Sequence, residues 1–208
     1  MTQTKILPIF PLDLVLFPRQ ELPLRIFEPR YKQLVDDCML GDGQFGVCLI
    51  DANKLISGWT APKSIGTIAK ITKCKDVELD GMQLHIETVG RNKFKINKII
   101  PPSLVQPSNY DPYTVQGHQN ISELHEKLGT EEKMYIRAEV ELISEIDENV
   151  PLDQVLEKYY LTTDVPAIDY IYSLSALGAK DPNELQPILE ANTMDDLIQK
   201  VQELLTVK

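Results

Sequence analysis

Four runs near the start of the chain decide its reading: Leu7-Pro8-Ile9-Phe10-Pro11-Leu12, Val15-Leu16-Phe17-Pro18, Leu22-Pro23-Leu24 and Ile26-Phe27-Glu28-Pro29-Arg30-Tyr31. No simple helical or strand period accounts for them. The apolar stretch from Ile6 to Phe17 follows a lone Lys5, but Pro8, Pro11 and Asp13 interrupt it and no small-residue cleavage pattern follows. It does not read as a secretory signal. The last run leads into a helix over Pro29 to Leu40. There Tyr31, Leu34, Val35 and Cys38 recur at i, i+3, i+4 and i+7, with Pro29 in the first turn and Gly41 at the cap.

Around this helix the punctuation is that of β structure. Ten of the 14 prolines, eight of the ten glycines and all five phenylalanines precede residue 119. Short β-type runs cover Gln44 to Ile50, Ile65 to Thr72, Met82 to Val89 and Lys93 to Ile100, and Asp80-Gly81 is a hairpin signal between two of them. Strand alternation places Arg91, Lys93 and Lys95 on one side, opposite Phe94 and Ile96, so the three cations are expected on a wet face.

After Gly129 the pattern turns helical. A long helix is expected near Glu131 to Glu148, with Ile136, Val140 and Ile143 as its apolar stripe and the glutamates as a solvated face. A second follows Pro151 through Tyr160, a third runs from about Pro166 to Leu177, and a fourth starts at Asp181, an N-cap followed by Pro182 and the capping-box residue Glu184. Pro187 is expected to bend or shorten it. The last helix starts at Thr193 and buries Leu197, Val201 and Leu204. Residues 1–118 carry 14 basic and 12 acidic side chains, net +2; residues 119–208 carry 7 and 19, net -12. We therefore expect a β domain over 1–118 and a helical subdomain over 119–208.

The formal charge of -10 disfavours loose binding to phosphate backbones. No stretch approaches the roughly 18 apolar residues of a membrane span, and the expected location is the cytosol. Cys38, Cys48 and Cys74 match neither a disulfide framework nor a metal knuckle and are expected to be reduced and buried.

Catalytic signatures are lacking. Gly41 and Gly46 have the spacing of a phosphate-cradling loop, but Val47 stands where its lysine belongs. His125-Glu126 begins like a zinc-protease helix, yet Gly129 replaces the second histidine; His85-Ile86-Glu87 lacks the paired cysteines of a deaminase. There is no nucleophile elbow. No catalytic residue, metal site or cofactor is assigned.

The four opening runs closely resemble the start of the Lon protease N-terminal domain. Phe45-Gly46-Val47, Ile65-Gly66-Thr67-Ile68-Ala69, and Gly90-Arg91 with Phe94 and Ile96 follow in that family's order, and Asp181 to Glu190 with the closing helix is similar to its terminal helices. The resemblance implies an α+β fold: a PUA-like β-barrel or sheet domain with one crossing helix, followed by an all-α subdomain. It also implies a stand-alone substrate-recognition module without the ATPase and protease modules of full Lon proteases. Within it, Pro8, Pro11, Pro18 and Pro23 fix extended backbone and blunt strand edges. Glu28 is placed to meet free amides at the helix start, and Arg30 to brace a neighbouring loop.

Two functions compete. A binding module would take an exposed polypeptide segment, from a substrate or a partner such as a separate protease, into an apolar groove between the β domain and the helices. Its candidate residues are Phe10, Leu16, Phe17, Phe27, Glu28, Arg30 and Tyr31; against it stands the reading in which Phe27 to Tyr31 form a structural latch and Phe10, Leu16 and Phe17 fill the core. RNA binding would use Arg91, Lys93 and Lys95, with Lys70, Lys73 and Lys75 nearby, but no aromatic residues interleave with them to stack bases.

Overall fold

Among the described residues seven strands carry the architecture: β1 (Thr4–Leu12), β2 (Glu21–Ile26), β3 (Gln44–Ile56), β4 (Trp59–Pro62), β5 (Ile65–Val77), β6 (Gln83–Ile100) and β7 (Arg137–Leu142). The computed structural model describes residues 4–77, 83–108, 110, 132–146 and 167–206. Along the sheet the order is β1-β7-β6-β5-β3-β4, and β1 also pairs with β3, in parallel, so β1, β7, β6, β5 and β3 close on themselves as a barrel. β2 pairs with the first part of β6, and β4 extends β3. Closure removes the free edges that an open sheet of this size would expose.

Alternation along the strands fills the barrel with Leu7, Ile9, Cys48, Ile68, Phe94, Ala138 and Val140. Gly46 is needed where Phe94 and Ile9 cross, because a Cβ there would stand 2.5 Å from the Phe94 ring. Ser57 and Gly58, both with positive φ, turn β3 into β4, the two-residue hairpin geometry that matches strand twist.

Helix α1 (Pro29–Leu40) lies where the sequence places it and buries Tyr31, Leu34, Val35 and Cys38. Each apolar side chain so covered contributes roughly 1.5–3 kcal/mol. Its face packs on Phe10, Leu16, Phe45 and Val47, and the Phe10 and Tyr31 rings stack at 3.9 Å. Phe10, Leu16 and Phe17 are thus buried in the core.

Beyond residue 118 the structure corrects one expectation. Arg137–Leu142 is a strand, not part of a helix from Glu131 to Glu148. Ile136, Ala138 and Val140 are buried while Arg137, Glu139 and Glu141 are partly exposed, a period of two. β1 and β6 supply hydrogen-bonding edges on both sides of it, and this outweighs the helix preference of its glutamates. The Asp80-Gly81 turn and the expected helix from Pro151 to Tyr160 lie outside the described residues.

Among the described residues three helices follow: α2 (Ala167–Gly178), α3 (Pro182–Glu190) and α4 (Met194–Thr206). The Asp181 carboxylate accepts from the Asn183 amide at 2.7 Å, capping α3 as expected, and Pro187 sits inside a helix of only nine residues. Glu184 reaches back to the Lys180 amide at 2.8 Å. Ile168, Tyr172, Ile188, Leu189, Leu197 and Val201 pack over Val15, Phe17 and Leu49 of the barrel. Tyr172 stacks on Phe17 at 4.4 Å with the rings 8° from parallel.

Candidate binding site

Helix α1 begins beside the β3–β4 hairpin, and this brings Arg30 against Trp59. The guanidinium carbon lies 3.6 Å from the Trp59 ring centroid, 4.3 Å from that of Tyr31 and 5.9 Å from that of Tyr110. Arg30 Nε donates to Glu28 Oε2 at 2.9 Å, and the Tyr110 hydroxyl donates to the same oxygen. Trp59 and Tyr110 meet edge to face at 4.7 Å, and Trp59 Nε1 donates to the Leu104 carbonyl at 3.1 Å. A cation held between aromatic faces and a buried carboxylate is fixed in position by both contacts.

Glu28 differs from its expected role. Its side chain makes no cap hydrogen bond to the helix; instead it is the shared acceptor of Arg30 and Tyr110. Burial, with Glu28 adding to it and Arg30 opposing it, pushes the Tyr31 hydroxyl up to about 12. Burial followed by the Glu28 charge pushes Tyr110 up as well. Both phenols are neutral at ordinary pH.

Beside this cluster opens a pocket of about 270 Å³. Arg30, Tyr31, Trp59 and Tyr110 form one side, with Met134, Tyr135 and Ile136 ahead of β7 on another. It is smaller than most drug-sized ligand sites.

Of the residues singled out from sequence, Glu28, Arg30 and Tyr31 meet here, with Phe10 stacked beneath Tyr31. Phe27 is half-buried, and Leu16 and Phe17 serve the core. Trp59 and Tyr110 were not legible as site residues, although a lone tryptophan next to a Ser-Gly turn was a signal available to be used.

The basic strand face is also corrected. Arg91 and Lys95 are exposed, but Lys93 is 3% exposed and donates to the carbonyls of Leu189, at 3.1 Å, and Ala191. The middle cation of the expected RNA face therefore points into protein. Lys73 is engaged by Glu87 at 2.6 Å. Cys38 and Cys48 are buried, as expected, whereas Cys74 is exposed. Burial raises the Cys38 thiol to about 12 and Cys48 also rises, so neither is a nucleophile. Among the described residues no group of three or more His, Cys, Asp or Glu side chains is arranged to hold a metal, and no helix is long and apolar enough to cross a membrane.

The family model described as the ATP-dependent protease La (LON) substrate-binding domain matches residues 6–207. Among solved structures, the fold is similar to that of a Lon N-terminal domain protein from Xanthomonas campestris, with a TM-score of 0.63 and 22% identity over 97% of this chain and 98% of that one. It is likewise similar to the N-terminal domain of a Mycobacterium avium complex Lon protease, with a TM-score of 0.58 and 12% identity over 97% of each chain. At these identities the likeness speaks to fold. No curated protein matches the chain.

Proposed function

Because the chain belongs to the ATP-dependent protease La (LON) substrate-binding domain family, we propose that it is a non-catalytic module that holds exposed polypeptide segments in the Trp59 pocket. The observation that carries this reading is the fixed aromatic and cationic wall around that pocket: Trp59, Tyr31 and Tyr110 about Arg30. Aromatic rings and a preorganised guanidinium lose little conformational freedom on binding, and such residues dominate the energetics of polypeptide recognition. In this reading any cleavage of the bound chain is the work of a separate protease.

Trp59 is the single tryptophan, so its emission reports on this pocket alone. Titration with a chemically unfolded polypeptide that lacks tryptophan is expected to shift or quench that emission in a saturable way, while the folded form of the same polypeptide leaves it unchanged. An equal response to both forms, or to neither, sinks the reading.

A further inference from the structure

β6 changes neighbours midway. Through Val89 it pairs with β2, and from Phe94 onward with β7. On its other side the β5 register passes from Ala69↔Gly90 to Thr67↔Lys93. Arg91 and Asn92 therefore have no cross-strand partner in any of the three ladders. The flanks are fixed: the Arg19 amide donates to the Gly90 carbonyl at 2.9 Å on one side, and the Ile143 amide to the Lys93 carbonyl at 2.9 Å on the other.

A cavity of about 280 Å³ occupies this break among the described residues. Its apolar wall comes from Pro18, Ile146 and the α2 residues Ile168 and Tyr172, and its polar wall from Arg91 and Asn92. It shares no lining residue with the Trp59 pocket.

The charges facing the cavity are unevenly engaged. Arg19 is bound to Asp169 at 2.6 Å, Lys93 donates to the Leu189 and Ala191 carbonyls, and Glu145 accepts from the Asn92 side-chain amide at 3.4 Å. Arg91 is exposed and makes no ion pair among the described residues. The cavity therefore offers a guanidinium seeking an anion, next to apolar surface sized for about one side chain. The Gly90 and Lys93 carbonyls at the two ends of the break are already taken by the Arg19 and Ile143 amides, so an extended chain running through it would find no strand backbone to pair with beyond Arg91 and Asn92. A chain that ends there needs none.

We propose that the break in the sheet at Arg91 and Asn92 receives the C-terminal end of another polypeptide, with the α-carboxylate at Arg91 and an apolar last side chain against Ile168 and Tyr172. Capture of a terminal carboxylate beside unpaired strand backbone is an established way to read a chain end. The site goes beyond the Trp59 reading and stands or falls separately from it.

The test uses the full chain and three fluorescein-labelled octapeptides of one sequence ending in leucine: the free acid, the C-terminal amide, and the amide with one internal glutamate. Fluorescence anisotropy is expected to show the free acid binding at least about tenfold more tightly than either amide, the scale of one charge-assisted contact. Arg91→Glu is expected to weaken the free acid about tenfold while the Trp59 emission of the unliganded protein stays unchanged, which shows that the variant is folded. Equal binding of acid and amide, recovery of affinity by the internal glutamate, indifference to Arg91→Glu in the folded variant, or no binding of the free acid each overturns the proposal. The terminal peptide is expected to leave Trp59 emission unaltered, so failure here is distinguishable from failure of the Trp59 pocket.

Discussion

The ammonium of Lys93 on β6 donates to the carbonyl of Leu189, the penultimate residue of α3, at 3.1 Å and also reaches Ala191. The last carbonyls of a helix have no partner within it, and its C-terminal end favours a cation. Lys93 thus joins the barrel to the helical layer across 96 residues of sequence. Gln186 adds a second tie from α3, donating to the Ile65 carbonyl at 3.1 Å.

Lys93→Met keeps the length of the side chain and removes its donors, leaving two carbonyls unsatisfied near the helix end. A loss of about 1–3 kcal/mol is expected in the free energy of unfolding by urea. A variant as stable as the parent would show that the two carbonyls find other donors.

The same lysine sets a pH dependence. Burial, with Lys200 adding to it and Asp196 opposing it, lowers the Lys93 ammonium from 10.5 to about 8. Between those values the unfolded chain holds the proton and the folded chain releases it, so the contribution of Lys93 to stability rises with pH across that window and is flat below it. A neutral amine still has two N–H groups for the two carbonyls. The stability difference between parent and Lys93→Met is expected to widen from pH 8 to pH 10; a constant or narrowing difference contradicts this.

Arg30→Ala leaves Glu28 buried without its cation and takes the guanidinium from the faces of Trp59 and Tyr31. A loss of about 3 kcal/mol in stability is expected, together with a red shift of Trp59 emission as water reaches the indole. Arg30→Lys keeps the charge but not the planar stack and should fall between, about 1 kcal/mol below the parent. Thermal or urea denaturation followed at Trp59 measures both; equal losses for the two variants would remove stacking from the account.

What the sequence made legible depended on how local each determinant was. The period of Tyr31, Leu34, Val35 and Cys38, with Pro29 before and Gly41 after, marked α1 to the residue because a helix is written in its own neighbours. β7 was hidden because Ile136, Val140 and Ile143 also satisfy a helical spacing and small Ala138 masks the alternation. Its strand character comes from β1 and β6, far away in sequence. Lys93 has the same origin: alternation groups it with Arg91 and Lys95, but only the packing of α3 decides that Lys93 alone is covered. Glu28 and Tyr110 meet across 82 residues, a relationship with no local signature.

Gly66 tests close packing inside the barrel. A Cβ there would stand 2.4 Å from the Val47 carbonyl oxygen and 2.5 Å from Cys48 Sγ, whereas at Gly41 the nearest atoms are at 3.7 Å. Gly66→Ala is expected to lower stability by about 2 kcal/mol or more through forced displacement of strand backbone. Gly41→Ala serves as the control and should stay within about 0.5 kcal/mol of the parent. Equal effects at the two positions would mean that β3 and β5 separate without penalty.

Closure of the barrel by β7 also orders events during synthesis. β1 can engage β3 once residue 49 or so is available, but its other edge, Thr4 to Pro8, awaits Lys5↔Val140 and its neighbours. At ribosomal speeds of about 5–20 residues per second, that interval is on the order of ten seconds. During it the nascent chain carries an exposed strand edge beside the apolar face of β1, open to pairing with another chain. Pro8 and Pro11 remove two amide donors from β1, so the residues that make the opening of the sequence so distinctive also limit what can zip onto it before β7 arrives.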